Sequence, residues 1–263
     1  MKIALITFAI ASSIPVLYAQ TAPPDFSGVY YPINPFGNFR GGPAAGGSAG
    51  APPPAQRQGP PPKPTASAPL SDGSRGRTPD EPLLTPEYMA KWQEISKTRV
   101  AGSYEYDLVA KCLPPGMPAM MSMAYGMEVM QSKDKVTFFS ELNDALRRVY
   151  LDGRKPSQKI LDDPTYAGYS TGHWDGDALI VETVALRDNT FIEGFTPHSD
   201  QMKVQERIRL KEPGLLEDQI TVTDPKALTK PWSTVKTYRK AKPGSGQDEL
   251  REFACAEGLG EAK

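Results

Sequence analysis

The sequence predicts a mainly β protein, an antiparallel barrel preceded by one helix and a disordered Pro/Gly linker. Three observations lead there. Short β-prone runs recur after Cys112, at 126–131, 136–142, 145–151, 169–174, 178–186, 204–210, 215–223, 233–239 and 249–255. Turn-forming clusters such as SKDK, WDGD, KEPG and KPGSGQ separate them. No helical pattern intervenes, which disfavours parallel βαβ units. Charged and apolar residues also alternate in ERIRL, LEDQITVTD, TVKTYRK and ELREF, so those strands have one wet and one dry face. Closing eight or nine such strands gives a barrel wide enough for a packed core or one small ligand.

The N-terminus, MKIALITFAIASSIPVLYAQ, has one basic residue, a short apolar stretch and a small Ala19 before Gln20. It reads as a signal peptide over 1–19, hence an exported protein, periplasmic or extracellular. Residues 20–40 contain DFSGVYYPI, a first strand that Pro32 and Pro35 end. Segment 41–79 holds repeated Pro and Gly and almost no large apolar residue. It cannot bury enough surface to offset its ordering entropy and reads as a disordered linker. The barrel domain is expected over 80–256, with a flexible tail at 257–263.

Within that domain, Thr85-Pro86-Glu87 places an N-cap, a Pro at N1 and an early acid in sequence, a helix start. Tyr88, Met89, Trp92 and Ile95 follow at near-helical spacing and are expected to pack on the core. Asp175-Gly176 and Asp152-Gly153 each read as a hairpin turn.

Composition narrows the function classes. The 263 residues include 30 basic and 31 acidic side chains, which argues against a nucleic-acid partner. Two Cys and two His exclude a multi-Cys zinc module, and no metal or other cofactor is expected. No apolar run reaches the roughly 20 residues of a transmembrane helix. In an oxidising compartment Cys112 and Cys255 have one possible pairing. That disulfide would close a loop of about 140 residues and contribute roughly 4–5 kcal/mol at most.

Taken together, DFSGVYYP, PLLTPEY, VYLDGRKP and GYSTGHWDGDALIVET resemble a family of uncharacterised exported bacterial proteins. TPHSDQMKVQERIRL, ITVTDPKALTKPW and EFAC continue the likeness to the C-terminus. The resemblance covers most of the chain from Leu83 onward, plus the first strand. It implies a signal peptide and a lipocalin-like β-barrel, and no established activity. The long Pro/Gly insertion is where this chain departs from the pattern.

Candidate chemistry is sparse. Gly168-Tyr169-Ser170-Thr171-Gly172 matches GxSxG, and Ser170, Asp188 and His198 follow in hydrolase order. The following HWDGDALIVET is a strand and turn rather than the helix a nucleophile elbow needs. His198 with Asp200, in TPHSD, is the preferred acid/base pair for a hydrolase, lyase or isomerase. His173, Asp175 and Asp177 form HxDxD, but adjacent turn residues diverge too much for a metal site. Glu182 and Glu206 sit at strand positions that share a face with apolar neighbours. Arg148 or Arg154 would be the partner such a carboxylate needs, or the pair would bind a polar ligand. Trp174 and Trp232 would line a pocket for an apolar ligand. Binding of a small hydrophobic or amphipathic molecule is therefore the leading expectation, ahead of catalysis or of an envelope interaction protein without a ligand.

Overall fold

The computed structural model describes residues 22–33 and 81–255. The expected signal peptide, linker and tail lie outside the described residues. Nine strands close into one barrel in sequence order. They are β1 (Gly28–Pro32), β2 (Met127–Gln131), β3 (Lys135–Ser140), β4 (Ala145–Tyr150) and β5 (Tyr169–Asp175), then β6 (Ala178–Val184), β7 (Lys203–Glu212), β8 (Leu215–Thr223) and β9 (Trp232–Lys240). Closure runs through β1, which pairs antiparallel with β2 and also with β9 (Tyr30 opposite Lys240).

Helix α1 (Pro86–Val100) begins where the sequence places it. The Thr85 hydroxyl makes no cap bond. It donates instead to the Lys226 carbonyl (3.1 Å), and Leu84 bridges to Leu228, so the helix start is tied to the β8–β9 connection. Tyr88 and Ile95 are buried, and Met89 and Trp92 pack against the core.

The expected barrel is thus present, with two local differences. The first is at β4 and β5, which pair in parallel, Val149 opposite Ser170. Asp152-Gly153 therefore makes no hairpin. The Asp152 carboxylate instead accepts bonds from the backbone and side chain of Arg154, and the chain crosses over through 151–168. Parallel neighbours require such a long connection, and the short helix α2 (Gln158–Leu161) lies in it. Second, 249–255 is irregular chain rather than a strand. It has no free edge to join, because β1 and β9 already pair with each other. After β9 the chain returns past Tyr31 and Gly126, where Leu250 packs close, and stacks Phe253 edge-on against Tyr125. It ends in the expected Cys112–Cys255 disulfide.

Tight turns close one end of the barrel. The β5–β6 turn has Gly176 at φ +61°, and the β7–β8 turn has Gly214 at φ +75°. The segment 81–126 and the connections 141–144, 185–202 and 224–231 all reach the other end. Loops carried on a rigid scaffold are where binding sites concentrate. Inside, alternate residues fill the lumen: Val129, Phe138, Val149, Val181, Ile208 and Ile220 are all essentially inaccessible.

Candidate functional site

The same alternation carries charges into the barrel. In β4 the inward residues are Ala145, Arg147 and Val149, and the outward ones include Arg148. Arg147 is completely buried. Its Nη1 donates to Glu206 Oε1 (2.8 Å), and its Nη2 donates to Glu206 Oε2 and to Thr183 Oγ1 (3.0 Å). Nε donates to Ser170 Oγ (3.1 Å), and the Ser170 and Thr183 hydroxyls lie 2.8 Å apart. Phe138 sits with its ring centroid 5.6 Å from the guanidinium carbon. One inward residue on each of β5, β6 and β7 thus offers a polar group to the cation, which is how a buried arginine is retained.

Two more charged strands complete the cluster. Asp218 on β8 is fully buried beside Glu206, and among the described residues neither of its oxygens meets a hydrogen-bond donor. Burial, then the Glu206 charge, raises its pKa well above the ordinary carboxylate range. Tyr238 on β9 is likewise pushed up by burial and by Asp218, and its hydroxyl donates to the Met121 carbonyl. Lys236, also on β9, reaches Glu193 Oε1 at 2.6 Å. The buried Tyr30 hydroxyl has no partner among the described residues, and burial raises its pKa to about 12. Because Glu206, Ser170 and Thr183 occupy the Arg147 head, that side chain cannot grip a ligand without abandoning them.

These placements revise the expected site. Glu206 faces inward with Val204 and Ile208, but its partner is Arg147 rather than Arg148 or Arg154. Arg148 is exposed, one residue out of phase with the inward face. Arg154 is exposed, bonds Asp152 and lies over the Tyr150 ring. Glu182 is exposed on the outer face of β6. Trp174 points inward and meets Phe26 edge-on at 5.1 Å, and Trp232 packs in the core cluster. Neither tryptophan lines the open space at the end of the barrel.

His198 is buried, and the structure does not bring it to Asp200. Its Nδ1 donates to the Ser199 carbonyl (2.8 Å), and its Nε2 lies 2.7 Å from Thr190 Oγ1, whose hydroxyl also reaches the Arg187 carbonyl (2.9 Å). Burial lowers its pKa. Asp200 is exposed, 3.7 Å from Lys226. The acid that organises this loop is Asp224, which accepts from Ser199 N (2.6 Å), Ser199 Oγ (2.7 Å) and Ala227 N (3.0 Å). Ser170 is inside the barrel, held by Arg147 and Thr183, and does not meet His198. The GxSxG glycines have a packing role: a Cβ on Gly168 would sit 2.7 Å from the Val184 carbonyl oxygen, and one on Gly172 2.8 Å from that of Ile180. His173, Asp175 and Asp177 are exposed, and Asp175 pairs with Arg207 at 3.0 Å. Among the described residues no three His, Cys, Asp or Glu side chains gather where a metal ion could be held.

The open space lies at the loop-rich end, outside the lumen. A groove of about 410 Å³ runs between the end of α1, the 107–109 and 115–125 segments, Leu142 and the 191–195 loop. Leu108, Val109, Met123, Leu142, Phe191 and Phe195 supply its apolar walls. That size and lining suit a small-molecule site. Phe191 and Phe195 lie 5.2 Å apart, and the Arg99 guanidinium covers the Phe195 ring at 3.6 Å. Phe195 has φ +66°, a left-handed backbone that a bulky side chain adopts only when its surroundings hold it there. Glu193 joins the groove to the barrel interior through Lys236. The disulfide fixes the 107–109 wall, with Cys255 Sγ 4.0 Å from the Val109 carbonyl. A smaller pocket of about 230 Å³ lies between Pro114, Ala145 and Tyr166. Arg147, Asp218 and Lys236 are not singled out by the sequence, although alternation with Leu216 and Ile220 marks Asp218 as inward. No sequence pattern marks the groove.

The fold and groove together define a nine-stranded β-barrel with an apolar recess at one end. Among solved structures, the chain is similar to the crystal structure of the wild-type fluorescent protein UnaG, with 18% identity and a TM-score of 0.28. That match covers 51% of this chain and 86% of the other. A single-substitution mutant of UnaG gives 17% identity and 0.29 over the same shares. No protein-family model matches the chain, and no curated protein sequence matches it.

Proposed function

We propose that this is an exported, non-catalytic barrel that binds a small hydrophobic or amphipathic molecule. One observation carries the reading: the groove of about 410 Å³, walled by aliphatic and aromatic side chains. The binding place is the mouth of the barrel, because the interior is occupied by packed apolar side chains and the Arg147 cluster. The intramolecular disulfide supports an oxidising destination. The basic and apolar N-terminal stretch ending in Ala19 supports a signal peptide over residues 1–19.

Titration with the apolar dye N-phenyl-1-naphthylamine tests the groove. The expected result is enhanced dye fluorescence with the native protein and at least tenfold weaker binding by Ser122→Trp, which fills the recess. Equal binding by a folded Ser122→Trp variant, shown by an unchanged thermal midpoint, overturns the assignment of the site. Intact mass of the protein recovered from cell fractions tests export, with loss of the first 19 residues expected.

A further inference from the structure

The groove contains three charged side chains, Arg99, Asp107 and Glu193, and their commitments differ. Glu193 is held by Lys236 at 2.6 Å. Asp107 accepts a bond from the Ala110 backbone (2.9 Å). Arg99 has its guanidinium face on Phe195, and among the described residues it makes no ion pair with a carboxylate. Stacking uses the face of a guanidinium and leaves its N–H edge free, in the fork geometry that fits two oxygens of an anion. Arg99 is in the last turn of α1, exposed on one side, with the apolar wall beside it. Partial desolvation lowers its pKa, and Asp107 offsets this only in part; an arginine nevertheless stays charged at neutral pH.

Resting on the groove as the binding site, we infer that its ligand is an amphipathic anion, with a carboxylate or similar head on Arg99 and an apolar body against Leu108, Val109, Leu142 and Phe191. A cationic amphiphile would have to displace Lys236 from Glu193 or rely on Asp107, whose Oδ1 already accepts from Ala110 N. An anion meets a stacked cation that, among the described residues, is in no ion pair with a carboxylate.

Three ten-carbon probes separate these cases: decanoate, decanol and decylamine, each kept below its micelle concentration and titrated by calorimetry against the disulfide-intact protein at pH 7.5. Decanoate is expected to bind most tightly. Arg99→Gln is expected to weaken decanoate about 10- to 100-fold more than decanol, the scale of a lost charged hydrogen bond. Equal affinity for all three probes in the native protein overturns this inference while leaving the groove as a binding site. Tightest binding of decylamine, or an equal loss of decanoate and decanol in Arg99→Gln, does the same. Absence of binding by any probe overturns the groove and the inference together. Because Arg99 is exposed, an unchanged thermal midpoint in Arg99→Gln separates lost binding from lost folding.

Discussion

Replacing Arg147 by Met should expose how much the barrel depends on its internal cation. The side chain is fully buried and spends its guanidinium on Glu206 through two bonds and on Ser170 and Thr183 through one each. Met retains much of the packing but strands Glu206, which is itself only 2% exposed. Breaking a buried pair from one side costs about 3–5 kcal/mol. The two hydroxyls add little, because they already bond each other at 2.8 Å. Against a total stability of about 5–15 kcal/mol that is a large loss. Adding Glu206→Leu removes the orphaned charge, so the double variant should recover at least half of the deficit. Urea unfolding followed by tryptophan fluorescence, with the disulfide intact, measures all three. A single-variant loss below about 1 kcal/mol, or a double-variant loss equal to the sum of the singles, would refute the assignment of Arg147 as the counter-charge.

Asp218→Asn should raise the thermal midpoint at pH 8, because Asn has no charge to bury and no proton to take up beside Glu206. The folded pKa of Asp218 is raised, so the native protein loses stability as pH climbs above the ordinary aspartate range toward the folded value. Asn abolishes that slope, and an unchanged pH profile of the thermal midpoint would count against it. His198 has the opposite dependence. Its pKa is lowered in the fold, so stability is present above the ordinary imidazole range and falls as pH drops through the folded pKa. His198→Gln should flatten that fall and leave groove binding intact, because His198 does not line the groove; loss of dye binding in a folded variant would contradict this. Cys255→Ser should cost up to about 5 kcal/mol, as the 143-residue separation implies. It should also raise amide exchange at Leu108 and Val109 more than on β7, whereas uniform exchange would show that the disulfide does not hold the groove wall.

How far the sequence can be read depends on contrast between strand faces. In β7, Lys203, Gln205, Arg207 and Arg209 mark the wet face, so Glu206 among Val204 and Ile208 is identifiably buried. In β4 the two faces are Ala145-Arg147-Val149 and Leu146-Arg148-Tyr150. Each is an arginine between apolar residues, and periodicity cannot choose between them; a shift of one residue exchanges the buried cation for the exposed one. Only closure of the barrel, with Glu206, Ser170 and Thr183 facing inward from neighbouring strands, decides for Arg147. Glu182 misleads for a similar reason, because Ile180 and Val184 give the outer face of β6 an apolar look. His198 and Trp174 stand out as chemically versatile residues, yet the loop and the barrel end use them for bonding and packing. The groove is illegible for a different reason. Its walls come from 99, 107–109, 115–125, 142 and 191–195, segments with no common period. What assembles them is topology: the strand order sends the long connections to one end, and the Cys112–Cys255 bond draws the C-terminal segment against that same end. The groove is therefore a property of closure, and the Lys236–Glu193 pair connects it to the charge cluster inside the barrel.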